Sequence, residues 1–104
     1  MKTIPSQLRE YHASGKPLCC DIPVQPWICE FWPLDELLKF NEEYEVEKYA
    51  PGYFGFATSG GGEMFAFSPL GAIVCLAFIG MSAEEELPVA SSWDAFEVKL
   101  TNAL

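Results

Sequence analysis

Residues 53–79 read YFGFATSGGGEMFAFSPLGAIVCLAFI, and this stretch decides the fold. Tyr53–Ala57 and Glu63–Phe67 are short aromatic runs on either side of Thr58, Ser59 and a glycine triplet, which is the pattern of a β-hairpin whose loop needs positive φ angles. Ser68-Pro69-Leu70-Gly71 supplies a second turn. AIVCLAFI, residues 72–79, is apolar at successive positions, as expected of a strand covered on both faces. Strands joined in this way form a three-stranded antiparallel meander.

A glycine triplet is either a phosphate cradle or a turn. A phosphate loop aims backbone amides and a helix N-terminus at the anion, and a P-loop adds a lysine after the last glycine. Here Glu63 follows Gly62 and a strand-like run follows Glu63, so a carboxylate would repel the phosphate. Gly60, Gly61, Gly62 and Glu63 are therefore read as a structural turn, in which residues without Cβ permit a close approach or a bulged loop that orients Glu63.

Upstream of the meander, Pro33 suits the first position of a helix. Asp35 and Glu36 suit its positive end, and Leu34, Leu37 and Leu38 form one apolar stripe, so a helix is predicted from about Pro33 to Asn41. NEEYEVEKYAPGY, residues 41–53, is acidic and broken by Pro51 and Gly52, and reads as an exposed connection. Four prolines and Gly15 within residues 1–29 limit helix to Ser6–Ala13, and Trp27–Phe31 reads as a short strand. Downstream, Ser82 and Glu85 fit a capping box cut short by Pro88. Ser91 or Ser92 caps a last helix with Trp93, Phe96 and Leu100 on one face. The expected fold class is α+β: an antiparallel meander sheet flanked by helices, in a single domain spanning residues 1–104.

Composition narrows the chemistry. Six Lys plus Arg against fifteen Asp plus Glu give a net charge of -9, which opposes nucleic acid and anionic membranes and favours a basic partner. The apolar run 72–79 is far too short to span a bilayer, and MKTIPSQLRE lacks the apolar core of a signal peptide, so the expected compartment is the cytoplasm. Cys19, Cys20, Cys29 and Cys75 would be reduced there. His12 could serve a nucleophile at Cys19 or Cys20 only if the fold brought them together. The adjacent cysteine pair also lacks zinc-ligand spacing. Glu63 has no partner acid or nucleophile beside it, so neither an enzyme, a metal nor a cofactor is expected.

Three blocks, WPLDELLKFNEEYEV (32–46), YAPGYFGFATSGGGEMFAFSPLGAIVCLAFIGM (49–81) and VASSWDAFEVKL (89–100), follow one another in an order that resembles the SUKH superfamily, named for yeast cell-wall assembly regulators of the Smi/Knr type. In that family a helix ending near an Asn leads to a Pro-Gly, a strand, a glycine-rich acidic turn, two more strands and a C-terminal helix. The resemblance covers about residues 27–100, with residues 1–26 as a divergent or shortened N-terminal part. It implies an immunity protein that binds and neutralises a cognate bacterial toxin domain such as a nuclease or deaminase. The alternative is a regulatory or scaffold module that binds without neutralising. The candidate partner-binding residues are Glu42, Glu43, Glu45 and Glu47, with Asp35, Glu36 and the run Glu84, Glu85 and Glu86 as a second group, and the tyrosines Tyr44 and Tyr49.

Overall fold

The computed structural model describes residues 3–23 and 28–102. In chain order the elements are α1 (Ser6–Ala13), β1 (Cys19–Asp21), β2 (Ile28–Phe31), α2 (Leu37–Glu43), α3 (Val46–Tyr49), β3 (Phe54–Thr58), β4 (Glu63–Phe67), β5 (Ile73–Ala77), β6 (Leu87–Ala90), α4 (Trp93–Lys99) and β7 (Thr101–Asn102). Single 3-10 turns at Leu34–Glu36 and Ala83–Glu85 precede α2 and β6. The architecture is α+β, and every strand pairing is antiparallel.

The meander is the middle of a larger sheet. Its seven strands run in the order β6-β5-β4-β3-β2-β1-β7, so the three expected strands are extended at both edges. Of the strand expected at Trp27–Phe31, Ile28–Phe31 is β2, while Trp27 lies outside the described residues. At one edge β6 contains Pro88, which has no N–H to give a further strand and is tolerated for that reason only at an edge or a bulge. At the other edge the two residues of β7 pair with Cys20 and Asp21.

The two sheet faces carry separate aromatic layers. On one, Phe56 packs against Phe65, Phe67, Trp93 and Phe96, and Tyr11 of α1 stacks on Phe31 at 4.6 Å. Ser92 caps α4 by accepting from the Ala95 amide at 3.1 Å, which points Trp93 and Phe96 into this layer. On the other face lie Trp32, Phe40 and Met64, and Gly55 sits beneath them. A Cβ on Gly55 would lie 2.6 Å from Met64 Sδ and 3.3 Å from the Trp32 ring, so any side chain there would have to displace Met64 and crowd Trp32.

Gly55 also marks where β2 leaves the sheet. Phe31 pairs with Ala57 and the Trp32 amide donates to Phe56 O at 3.0 Å, after which Pro33 turns the chain into α2. The peptide groups of Gly55 are taken up instead by one side chain. The Gly55 amide donates to Asn41 Oδ1 at 2.7 Å, and Asn41 Nδ2 donates to Gly55 O at 2.8 Å. The same Nδ2 donates to Leu37 O at 2.8 Å, and Asn41 is 3% exposed. A carboxamide thus stands in for the missing strand, and the register shift between Gly55 and Ala57 on the β4 side places both Phe56 and Ala57 opposite Phe65.

Residues 41–53 are not simply an exposed connection. Glu45 adopts φ 55°, the left-handed region, and reverses the chain so that α3 sets Val46 and Ala50, four residues apart, into the core. The capping serine at 82 accepts from the Glu84 amide at 3.2 Å, and the segment it caps is a single 3-10 turn followed by β6.

The glycine triplet is a turn, organised by Ser59. Ser59 Oγ accepts from the amides of Gly61 at 3.0 Å and Glu63 at 3.4 Å, and donates to Glu63 Oε1 at 3.0 Å. Positive φ falls at Gly60 (78°) and Gly62 (100°) and not at Gly61.

Two outcomes follow for stability. Asn41→Leu leaves the Gly55 amide and carbonyl buried without partners, and is expected to cost about 2–4 kcal/mol in urea unfolding. A loss below about 1 kcal/mol would mean that other groups satisfy Gly55. Gly60→Val and Gly62→Val are each expected to cost about 1 kcal/mol or more, whereas Gly61→Ala changes the same transition by less than about 0.5 kcal/mol.

Candidate functional site

The fold gathers part of the acidic stretch into a groove. Glu43 and Tyr44 at the end of α2, Glu45 at the reversal and Tyr49 at the end of α3 face Phe78, Gly80 and Met81, which follow β5, around a space of about 510 Å³. Tyr44 and Tyr49 are 41% and 46% exposed, enough to offer ring surface to a partner.

Tyr44 is held from behind. Its ring lies 4.6 Å from Phe78 and 5.9 Å from Trp32, nearly parallel to the latter at 23°, and Phe40 sits one turn earlier on α2 at 6.3 Å. Ring orientation here is set by packing, so the tyrosine needs little ordering on contact. Tyr49 carries the Lys48 Nζ 5.2 Å from its ring centroid, and the same ammonium lies 3.9 Å from Glu45 Oε2. Both partners of that ion pair are more than half exposed, so its net contribution to stability is small, about 0–1 kcal/mol. Residues 42–48 carry four carboxylates and one ammonium, leaving this short segment negative.

The other candidate residues are distributed differently. Glu42 and Glu47 are exposed on the same segment but outside the groove lining, and Glu47 Oε1 accepts from the Gly52 amide at 3.3 Å. Asp35 borders a second space of about 460 Å³ with Ile4, Arg9, Leu34 and Leu38, and Glu36 is half-buried in the preceding 3-10 turn. Glu84 and Glu85 are exposed next along the chain from the Met81 wall. Glu86 is half-buried and accepts from the Tyr53 hydroxyl. That hydrogen bond, with burial as the lesser cause, pushes the Tyr53 phenol up to about 12. The bond links the segment after α3 to the segment before β6, the two sides from which the acidic groups rise.

Phe78, Met81, Trp32 and Phe40 belong to this site and were not singled out from the sequence. Phe40 and Tyr44 are four residues apart on one helix face, a signal that was available. In the sequence Phe78 reads as the continuation of a buried strand, and only the end of β5 at Ala77 turns it toward Tyr44.

The remaining titratable side chains point elsewhere. His12 meets Phe31 edge-on at 6.2 Å, its buried Nε2 has no hydrogen-bond partner, and burial lowers its pKa. The Cys20 thiol lies 3.6 Å from the Tyr11 hydroxyl, and burial raises its pKa. Burial raises Cys29 as well, and pushes Cys75 up to about 12. Among the described residues no cluster of His, Cys, Asp and Glu is placed to hold a metal ion, and no helix is long and apolar enough to cross a membrane.

An antiparallel sheet with α2 and α3 on one face, α4 on the other and an acidic aromatic groove beside α3 makes this an acidic α+β protein. The chain belongs to the SMI1 / KNR4 family (SUKH-1), whose family model matches residues 2–98. That match begins well upstream of residues 27–100, the span of the resemblance. Comparison with curated proteins finds no match.

The strain at Glu45 is open to test. If its left-handed backbone is imposed by the chain reversal, Glu45→Gly raises the urea midpoint by an amount equivalent to about 0.5–1 kcal/mol, whereas a lower midpoint would show that the glutamate side chain stabilises the reversal.

Proposed function

We propose that this chain is an immunity protein that binds and neutralises the toxin domain of a bacterial toxin system through the acidic surface around α2 and α3. The observation that carries the reading is the groove itself, where the carboxylates of Glu43 and Glu45 and two half-exposed tyrosines share one concave face. Family membership supports it, since SUKH proteins include toxin immunity proteins.

Charge supports the same reading and names the partner's character. A chain of net charge -9 is drawn to a basic surface, such as that of a nuclease or deaminase domain, and long-range attraction raises the association rate by orders of magnitude. Tyrosines at the centre and carboxylates around them match the usual division of labour, in which aromatic anchors supply affinity and charges supply rate and selectivity. The reaction chemistry belongs to the toxin, and this chain acts by occupying or covering a surface.

The test is co-expression with candidate toxin domains, starting with any encoded beside this chain, scoring survival, followed by titration of the purified pair at low and high salt. Rescue with a tight complex that weakens as salt rises is expected. Replacing Glu42, Glu43, Glu45 and Glu47 together by Lys is expected to slow association by about tenfold or more in a folded variant. Unchanged kinetics would remove this segment from the interface. Cell death with no complex would overturn the immunity reading in favour of a regulatory or scaffold module.

A further inference from the structure

We propose that the groove takes an arginine side chain presented by the partner, with its guanidinium laid on Tyr44 and Tyr49 and its N–H groups donating to Glu43 and Glu45. This rests on the reading that the partner docks on this face, and goes further by naming the group that enters.

The lining selects that chemistry. Its polar side chains include two carboxylates with no arginine among them, and its apolar part is made of aromatic faces and Met81. A planar guanidinium stacks on aromatic rings and offers a fork of donors matched to carboxylates, whereas an ammonium is a strongly hydrated point charge. The size of the space, about 510 Å³, falls within the range of about 300–1,000 Å³ usual for sites that enclose a small organic group. Tyr44 is already clamped by Phe78 and Trp32, so one wall is preformed.

The chain itself places a cation beside two residues of this lining. Lys48 Nζ lies both over the Tyr49 ring, at 5.2 Å, and beside Glu45, at 3.9 Å, so the tyrosine and the carboxylate already share a positive charge. Its side chain is 64% exposed, so it is a resident that can swing away when a better-matched cation arrives. Lys48 is then a competitor for the site, and removing its charge strengthens arginine binding.

The experiment uses the full chain labelled with nitrogen-15, titrated separately with N-acetyl-arginine amide and with N-acetyl-citrulline amide, its uncharged counterpart of the same shape. Amide shifts are expected at residues 43–49 and 78–81, with the arginine compound binding about three- to fivefold more tightly than citrulline. Lys48→Met is expected to tighten arginine binding by about twofold or more, while Lys99→Met, at the end of α4 on the opposite face, makes the same charge change without effect. Equal binding of the two compounds, shifts centred on residues 84–86 instead of the groove, or equal effects of the two lysine variants would overturn the proposal. No toxin is present in this experiment, so its failure leaves the immunity reading to stand or fall on rescue and complex formation. Failure of rescue likewise leaves the arginine titration interpretable.

Discussion

The hydrogen bonds between Asn41 and Gly55 are the constraint on which the rest of the structure depends. A strand that loses its neighbour halfway must either expose its peptide groups or find a substitute, and here α2 supplies one from a single side chain. Because the substitute is a helix residue, α2 is fixed in rotation as well as position. Leu37 then faces the core and Tyr44 falls at the helix end where the groove opens. The missing Cβ of Gly55 completes the arrangement, since Met64 and Trp32 occupy the volume a side chain would need.

From that anchor the groove follows by short steps. Trp32, the last residue before the turn into α2, packs against Phe40 and Tyr44. Glu45 reverses the chain in a left-handed conformation, and Val46 and Ala50 pin α3 to the sheet. Tyr49 and the carboxylates are left on the outside with Phe78 opposite. A non-glycine residue at positive φ is retained only where surrounding packing imposes it, and here it sits at the point that joins the two helices lining the groove.

Much of this was legible in the sequence where punctuation was strong. The boundaries of α1 agree with Ser6–Ala13 because Pro5 and Gly15 bracket them, and β4 agrees with Glu63–Phe67 because the glycine triplet and Ser68 enclose an aromatic run. The outer strands were hidden. Cys19–Asp21 and Thr101–Asn102 are too short to show alternation, and Pro88 argues against a strand unless its edge position is known. The α3 helix was hidden by its acidic surroundings, since one valine and one alanine make a weak stripe among four glutamates. The acidic segment and its tyrosines were visible as candidates. Their aromatic backing was not, because Trp32 and Phe78 come from chain segments far from them in sequence.

Hydrogen exchange on the full chain, free and saturated with the toxin domain proposed as its partner, tests the role of the groove. Protection gained on binding is expected on residues 42–49 and 78–81, with the amides of β6 and α4 unchanged. Protection confined to β6 or α4, with the groove exchanging as in the free protein, would contradict it.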